Sequence, residues 1–195
     1  MSGVSDDDLW AAVVLTGGTA SRMGGVDKAG LARQGRRLLD LALEAVAGAT
    51  ETVVVGPEAP TRWSVTFTRE QPAGGGPLAG LSAGVAALSS DASTVVVLAV
   101  DMPHLTAATV TRLRDAARNR PGAWLVDGEG RRQLAGVVRR DQVPPPETAA
   151  GRPMRILMAD PDSVDVTADD DEAADVDTWD DALRLGITPD TSRRT

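Results

Sequence analysis

The chain has 195 residues, of which 42% are hydrophobic, and its 28 acidic and 20 basic side chains give a net charge of −8. A chain of this length typically folds as one domain and buries about 70% of the surface that it exposes when unfolded. The absence of cysteine excludes a disulfide scaffold, a thiol nucleophile and a cysteine-bound metal, and the absence of a basic stripe predicts that the protein does not bind nucleic acid.

Apolar runs separated by turn residues predict an alternation of strands and helices. In chain order, the predicted strands are Trp10–Leu15, Glu51–Val55, Trp63–Thr68, Ser93–Val100, Ala123–Val126, Gln133–Arg139 and Ser163–Val166. The predicted helices are Leu38–Ala47, Pro77–Leu88, Thr106–Arg118, Gly151–Ala159 and Thr178–Leu185. This alternation favours an α/β fold with a mainly parallel sheet that helices cover on both faces.

We expect a single domain over residues 9–186, between an acidic disordered N-terminus at 1–8 and a disordered tail at 187–195. Apolar runs such as Val95–Val100 are far shorter than the ~20 residues of a membrane helix, and the first eight residues are too polar for a secretory signal. The sequence therefore predicts a cytoplasmic protein that makes no membrane contact.

The loop after the first strand reads LTGGTASRMGGVDK, from Leu15 to Lys28. In parallel sheets, ligands bind beyond the carboxyl ends of the strands, which is where this loop begins. Its four glycines let the backbone approach a phosphate closely, and Arg22 and Lys28 add positive charge. Lys28 is the single lysine of the chain against 19 arginines, which indicates a position where a compact ammonium is needed. We expect its side chain to be an exposed loop ammonium.

A carboxylate, Asp101, directly follows the most apolar of the later strands. An aspartate in that position is costly unless it caps a helix or binds a metal. Because Thr106 already fills the N-cap position of the next helix, the sequence favours Asp101 as a Mg²⁺ ligand.

The loop Gly74–Ala79 formally matches the dinucleotide fingerprint G-x-G-x-x-A. The match is weak, because the loop follows a more polar strand and no acidic residue ends a strand about 20 positions downstream. The loop still predicts a helix N-terminus that faces an anion or the edge of a base.

Five segments of the sequence resemble the molybdenum cofactor guanylyltransferase family. They read LTGGTASRMGGVDK, where the family usually has LAGGxSxRMGxDK, and GGGPLAGLSAG, VDMPHL, GRPMRILM and DVDTWDDAL. The resemblance implies a Rossmann-like three-layer sandwich with a mainly parallel central sheet, of the nucleotide-diphospho-sugar transferase type. It also implies transfer of GMP from GTP to the terminal phosphate of the molybdenum cofactor, with release of pyrophosphate and with Mg²⁺ as the metal. Transient contact with enzymes that make or receive the cofactor is a further expectation.

The resemblance assigns roles to residues of the first loop, of the Gly-rich loop and of the strand ends. The nucleotide-binding residues that it implies are Leu15, Thr16, Gly17, Gly18, Lys28, Gly56, Gln71, Gly76, Pro77, Leu78 and Asp101. The implied catalytic residues are Arg22, Lys28 and Asp101, and Asp101 also holds Mg²⁺. Asp177 is either a second metal ligand or part of the acidic stretch Asp160–Asp181, which contains no lysine or arginine.

The chain departs from the family at two positions that bear on nucleotide contacts. Gly56 follows the second strand where the family often has Asn, and Gln71, after Glu70, stands where the family usually has Asp. The two glycines Gly17 and Gly18 favour GTP, because cytosine users in the related families tend to have Ala before a single Gly. The alternatives are a CTP-dependent cytidylyltransferase, a transferase for another phosphorylated acceptor, and a nucleotide-binding protein without turnover.

Overall fold

The structure is a computed structural model that describes residues 9–17, 23–24 and 26–189. Its strands are β1 (Trp10–Leu15), β2 (Leu31–Arg33), β3 (Arg36–Arg37), β4 (Glu51–Val55), β5 (Thr66–Thr68), β6 (Thr94–Ala99), β7 (Gly122–Val126), β8 (Arg132–Arg139), β9 (Val164–Thr167) and β10 (Ile187–Pro189). Its α-helices are α1 (Leu38–Ala45), α2 (Pro77–Ala86), α3 (Ala107–Ala116), α4 (Pro146–Ala149), α5 (Arg155–Met158) and α6 (Trp179–Arg184). Short 3-10 helices lie at Lys28–Gly30 and Arg140–Gln142.

Seven strands form one sheet in the order β5-β4-β1-β6-β8-β7-β9. β1 pairs in parallel with β4 and β6, and the outer strands β5 and β9 are also parallel to their neighbours. β8 is antiparallel to both β6 and β7. The prediction of a mainly parallel sheet is therefore confirmed, with β8 as the exception.

Helices cover both faces of this sheet, and the side chains of β1 alternate between the two faces. Ala12 and Val14 belong to a core shared with α1 and α3. Ala11 and Val13 belong to a second core under α2. Burial on both faces explains why β1 is a continuous apolar run. α2 packs closely on this strand, because a Cβ at Gly84 would lie 2.5 Å from Val13 Cγ1.

A second, three-stranded antiparallel sheet in the order β10-β2-β3 joins the end of the described chain to the segment after the first loop. The sequence predicts a disordered tail from residue 187, and this prediction is wrong for Ile187–Pro189, which form β10. Ile187 is 4% exposed, so the domain extends at least to Pro189. The strands of this sheet have two or three residues, too few to show a two-residue period. Residues 1–8 and 190–195 lie outside the described part of the chain.

Some elements are shorter than the sequence predicts. The strand predicted at Trp63–Thr68 is limited to Thr66–Thr68, and the helix predicted at Gly151–Ala159 is limited to Arg155–Met158. The sequence does not predict α4, because its four residues are too few to show a helical period. Among the helices that the structure describes, none is long and apolar enough to cross a lipid bilayer.

Candidate active site

A cavity of about 690 Å³ lies at the carboxyl ends of β1, β4 and β6. Most of the described residues that the sequence predicts for the site line this cavity, namely Leu15, Thr16, Gly17, Lys28, Gly76, Pro77, Asp101 and Asp177. Gly56, Gln71 and Leu78 are not among the lining residues. Gly18 and Arg22 lie outside the described residues, so their placement stays a prediction.

The Lys28 side chain lies between two carboxylates in the cavity wall. Asp27 is the N-cap of the 3-10 helix Lys28–Gly30, because its side chain accepts a hydrogen bond from the Ala29 N–H. From there Lys28 Nζ donates to Asp101 Oδ2 at 2.7 Å and to Asp177 Oδ1 at 2.9 Å. The Lys28 side chain is only 10% exposed. The prediction of an exposed loop ammonium is therefore wrong. The sequence could not indicate this burial, because both ionic partners are remote from Lys28 in the sequence.

The two carboxylates also raise the pKa of Lys28. Burial lowers the pKa of the Lys28 ammonium, but hydrogen bonds and negative charge from Asp101 and then from Asp177 outweigh burial, so that the pKa lies above its ordinary value. Lys28 is therefore fully protonated at neutral pH. Hydrogen bonds between an ammonium and carboxylates are among the stronger ones in proteins, so the three side chains form a well-defined cluster.

Asp101 lies two residues beyond the end of β6, and it does not cap the following helix. Thr106 caps α3 instead, because its side chain accepts a hydrogen bond from the Thr109 N–H at 3.3 Å within a capping box. The Asp101 carboxylate contacts the Lys28 ammonium, while its backbone carbonyl accepts a hydrogen bond from the Val176 N–H at 3.0 Å. Asp101 therefore connects the cavity wall to the acidic segment before α6, which is the part of the acidic stretch Asp160–Asp181 that precedes this helix.

The acidic segment before α6 is held in place by contacts with remote residues. Arg112 Nη2 donates to Glu172 Oε2 at 2.6 Å, which ties the segment to α3. Val176 is fully buried, and Thr178 is the N-cap of α6. Packing on both sides therefore places Asp177 at the cavity wall, where its half-exposed carboxylate faces Lys28.

A third carboxylate, that of Asp175, also lines the cavity. Burial, followed by the negative charges of Asp177 and Asp101, raises the pKa of the Asp175 carboxyl above its ordinary value. A carboxyl whose pKa is higher in the folded state stabilises the fold below its unfolded pKa. That contribution is lost as the pH rises through the folded pKa. At neutral pH, Asp175 is therefore ionised at a cost to stability.

We accordingly expect Asp175→Asn to raise the free energy of unfolding at neutral pH in metal-free buffer. The gain should disappear as the pH falls below about 3.9, the ordinary pKa of Asp, because both side chains are then neutral. Urea unfolding at several pH values measures the difference. The same change at the exposed Asp162 is the control, and its stability is expected to stay within about 0.5 kcal/mol of the wild type. A destabilised Asp175→Asn protein at neutral pH would contradict this account.

Two carboxylate oxygens, Asp101 Oδ2 and Asp177 Oδ1, converge on one point, because the same ammonium nitrogen binds both. Mg²⁺ is commonly held by one or two carboxylates together with substrate phosphates. The pair fits such a cation, whereas the described residues contain no group of three or more metal-binding side chains. The arrangement therefore suits a metal that is shared with a substrate.

The Gly-rich loop before α2 forms another part of the wall. Gly76 has a φ of 91°, a value that favours glycine, and Pro77 occupies the first turn of α2. The Gly74 N–H donates to Glu70 Oε1 at 3.0 Å, and Glu70 lines the cavity. Gln71 does not line the cavity, so Glu70 is the residue that brings an acidic group of this loop into it.

The fold adds lining residues that the sequence does not predict. β8 is antiparallel to β6, so β8 begins at the edge of the sheet where β6 ends, and this places Gln133 and Leu134 in the wall. Gln133 Nε2 donates to Asp127 Oδ2 at 3.0 Å. Asp175 could have been found from its place in the DVDTWDDAL segment, but nothing local in the sequence indicates the direction of β8.

Residues 12–164 match the family model of the MobA-like NTP transferase domain. The chain belongs to this family. The resemblance of its sequence segments is thereby confirmed. Curated proteins named molybdenum cofactor guanylyltransferase align with this MobA-like chain at identities between 32% and 43%.

One of these relatives, from Xanthomonas euvesicatoria pv. vesicatoria, is 43% identical over 113 residues, which are 57% of this chain and 57% of that relative. The match thus spans little more than half the length of that relative. The fold recurs in a nucleotidyl transferase from Methanothermobacter thermautotroptrophicus, with a TM-score of 0.76, 23% identity, and coverage of 92% of this chain and 96% of that chain. It also recurs in the manganese complex of Rv0371C from Mycobacterium tuberculosis, with a TM-score of 0.67, 17% identity, and coverage of 92% and 97%.

Proposed function

We propose that this MobA-like protein transfers GMP from GTP to the terminal phosphate of the molybdenum cofactor and releases pyrophosphate. The observation that carries the proposal is one cavity in which glycine backbone at Gly17 and Gly76 meets the converging side chains of Lys28, Asp101 and Asp177. Such backbone accommodates a nucleotide, and such side chains suit a metal-bound polyphosphate. The names of the curated relatives supply the base and the acceptor.

The proposed reaction forms a bond between an acceptor phosphate oxygen and the α-phosphorus of GTP, while the bond between the α- and β-phosphates breaks. The attacking phosphate is already ionised at neutral pH, so the site needs no general base. It must position two phosphorylated substrates and neutralise charge on the α-phosphate and the leaving pyrophosphate. No histidine lines the described part of the wall, which agrees with this requirement.

The charges of the described wall indicate how a polyphosphate is accommodated. The described wall contains one basic side chain, that of Lys28, and four acidic ones, those of Glu70, Asp101, Asp175 and Asp177. This excess of negative charge repels an anion. Mg²⁺ bound by Asp101 and Asp177 would supply Lewis-acid stabilisation of the phosphate charges. Lys28 and, from outside the described residues, Arg22 are proposed to contact the same phosphates.

We propose that base selection rests on the first loop and on Glu70. A Cβ at Gly17 would meet no described atom within 4 Å, so the loop backbone borders open space in the cavity. A carboxylate such as that of Glu70 can accept hydrogen bonds from both the N1–H and the 2-amino group of guanine, whereas cytosine presents a single amino group. Both features favour GTP over CTP.

GTP is expected to bind at least about 10-fold more tightly than CTP, the ratio that corresponds to ~1.4 kcal/mol. Gly17→Ala should narrow this ratio by weakening GTP binding without lowering thermal stability, because the added methyl group meets no described atom within 4 Å. Calorimetric titration with each nucleotide and Mg²⁺ measures both affinities. Gly128→Ala, at an exposed turn with equal open space, is the matched control and should change neither affinity. Equal or tighter CTP binding would contradict the guanine assignment.

Pyrophosphate release with GTP, Mg²⁺ and the molybdenum cofactor tests the transfer itself. Release that requires all three supports the proposal. Release with CTP alone among the nucleotides would indicate a cytidylyltransferase, and GTP binding without release would indicate a binding protein. Contact with enzymes that make or receive the cofactor stays a prediction.

A further inference from the structure

The Lys28 ammonium occupies the point at which two acidic residues of the cavity converge. Its Nζ lies 2.7 Å from Asp101 Oδ2 and 2.9 Å from Asp177 Oδ1. These are the same two carboxylates that fit a divalent cation. A basic side chain thus fills the position that the chemistry of the ligands assigns to a metal.

An ammonium and a divalent cation cannot both occupy the position between these two oxygens. Mg²⁺ binds carboxylate oxygens at about 2.0–2.1 Å. A cation held by both oxygens would therefore lie close to the present position of Lys28 Nζ. Two positive charges at such a separation repel each other strongly. Entry of a cation between Asp101 and Asp177 therefore requires the ammonium to leave.

We propose that Lys28 is an internal counter-ion, which fills the cation position of the nucleotide-free protein, is displaced when a divalent cation enters between Asp101 and Asp177, and contacts the phosphates once a nucleotide is bound. The ammonium keeps its protons and moves from the carboxylates of Asp101 and Asp177 to phosphate oxygens. The proposal rests on the proposed function for the identity of the cation and nucleotide. The exchange itself concerns only these three side chains.

The surroundings of Lys28 provide a reason for the counter-ion. Without it, the carboxylates of Asp101 and Asp177 would lie close together and near Asp175 with no opposite charge from the described wall. Like charges in a partly buried site are unfavourable. The ammonium therefore offsets this repulsion and holds the two carboxylates in positions from which they can bind a divalent cation.

The chemistry of lysine also suits an exchange. Its compact head on a flexible four-carbon stem can pass from one set of oxygens to another, whereas the planar guanidinium of arginine favours a fixed bidentate pair. This difference gives a physical reason for a lysine at position 28 in a chain that otherwise uses arginine.

The test measures Mn²⁺ binding to the nucleotide-free protein by electron paramagnetic resonance. Lys28→Met removes the competing ammonium and is expected to tighten Mn²⁺ binding by about 10-fold or more, because a unit charge near the cation is lost. Arg118→Met changes the net charge equally at an exposed pair with Asp115 on α3, and should leave the affinity unchanged. Adding Asp177→Asn to Lys28→Met should abolish the gain.

Unchanged or weaker Mn²⁺ binding by Lys28→Met would overturn the exchange. An equal gain in Arg118→Met would also overturn it, because the effect would then come from net charge alone. Neither result depends on GTP or on an acceptor. A failed exchange therefore leaves the transfer function standing, and a failed transfer leaves the metal titration valid.

A second measurement uses the wild-type protein, so it does not depend on the folding of a variant. Because Lys28 is the single lysine, ¹⁵N-lysine labelling gives one Nζ signal. While the ammonium is held by two carboxylates, its protons exchange slowly with water and the signal is visible. Saturation with Mg²⁺ alone is expected to broaden or shift this signal, and an unchanged signal at saturation would overturn the proposal.

Discussion

Asp101→Asn is expected to lower kcat/KM for GMP transfer by on the order of 10²–10³-fold, the range seen when one group that stabilises developing charge is lost. A neutral amide oxygen is a poor ligand for a hard cation, and the change also removes the carboxylate that lies 2.7 Å from Lys28 Nζ. The fold is expected to persist, because Thr106 rather than Asp101 caps α3. Pyrophosphate release at varied Mg²⁺ concentration measures the loss.

Asp115→Asn is the matched control for this prediction. The Asp115 carboxylate is exposed on α3 and pairs with Arg118 at 3.2 Å, and neither residue lines the cavity. The same chemical change there should leave kcat/KM at the wild-type value. If Asp101→Asn retained transfer at ordinary Mg²⁺ concentration, the carboxylate would have no metal role. A partial return of activity at high Mg²⁺ would support the ligand role.

Local patterns in the sequence predict the central part of the fold and one side of the site. β1 and β6 are runs of apolar residues because both of their faces are buried. The ends of these strands then locate the site, since ligands bind beyond the carboxyl ends of parallel strands. Leu15 and Asp101 follow from this rule, and both line the cavity.

The remaining part of the site depends on contacts between residues that are far apart in the chain. Lys28 and Asp177 are separated by 149 residues, and Arg112 and Glu172 by 60. A run of acidic residues has the same local pattern on a solvated face and in a cavity wall. Only the packing of Val176 and the pairing of Glu172 distinguish the two. The burial of Lys28 could not be predicted for the same reason.

The departure from the family pattern at Gly56 has a physical counterpart in the side chain of Thr16. Thr16 Oγ1 donates a hydrogen bond to the Val55 carbonyl at 3.0 Å. A Cβ at position 56 would overlap the Thr16 Oγ1 atom. The Gly56 N–H donates to the Thr68 carbonyl at 2.8 Å, which holds residue 56 at a φ of 154°, where side chains are strained. The Thr16 side chain and the backbone conformation therefore both favour glycine at position 56.

Gly56→Asn is accordingly expected to lower the free energy of unfolding by about 2–6 kcal/mol, through backbone strain and overpacking that each cost about 1–3 kcal/mol. Thr16→Ala alone should cost about 1 kcal/mol for its hydrogen bond. Combined with Gly56→Asn, it removes the overlap but not the backbone strain. The double variant should therefore be about 1–2 kcal/mol more stable than the sum of the single changes predicts. Urea unfolding of the four proteins measures this coupling. Strictly additive losses would show that Thr16 and residue 56 do not compete for the same space, and glycine at position 56 would then have no explanation in the Thr16 side chain.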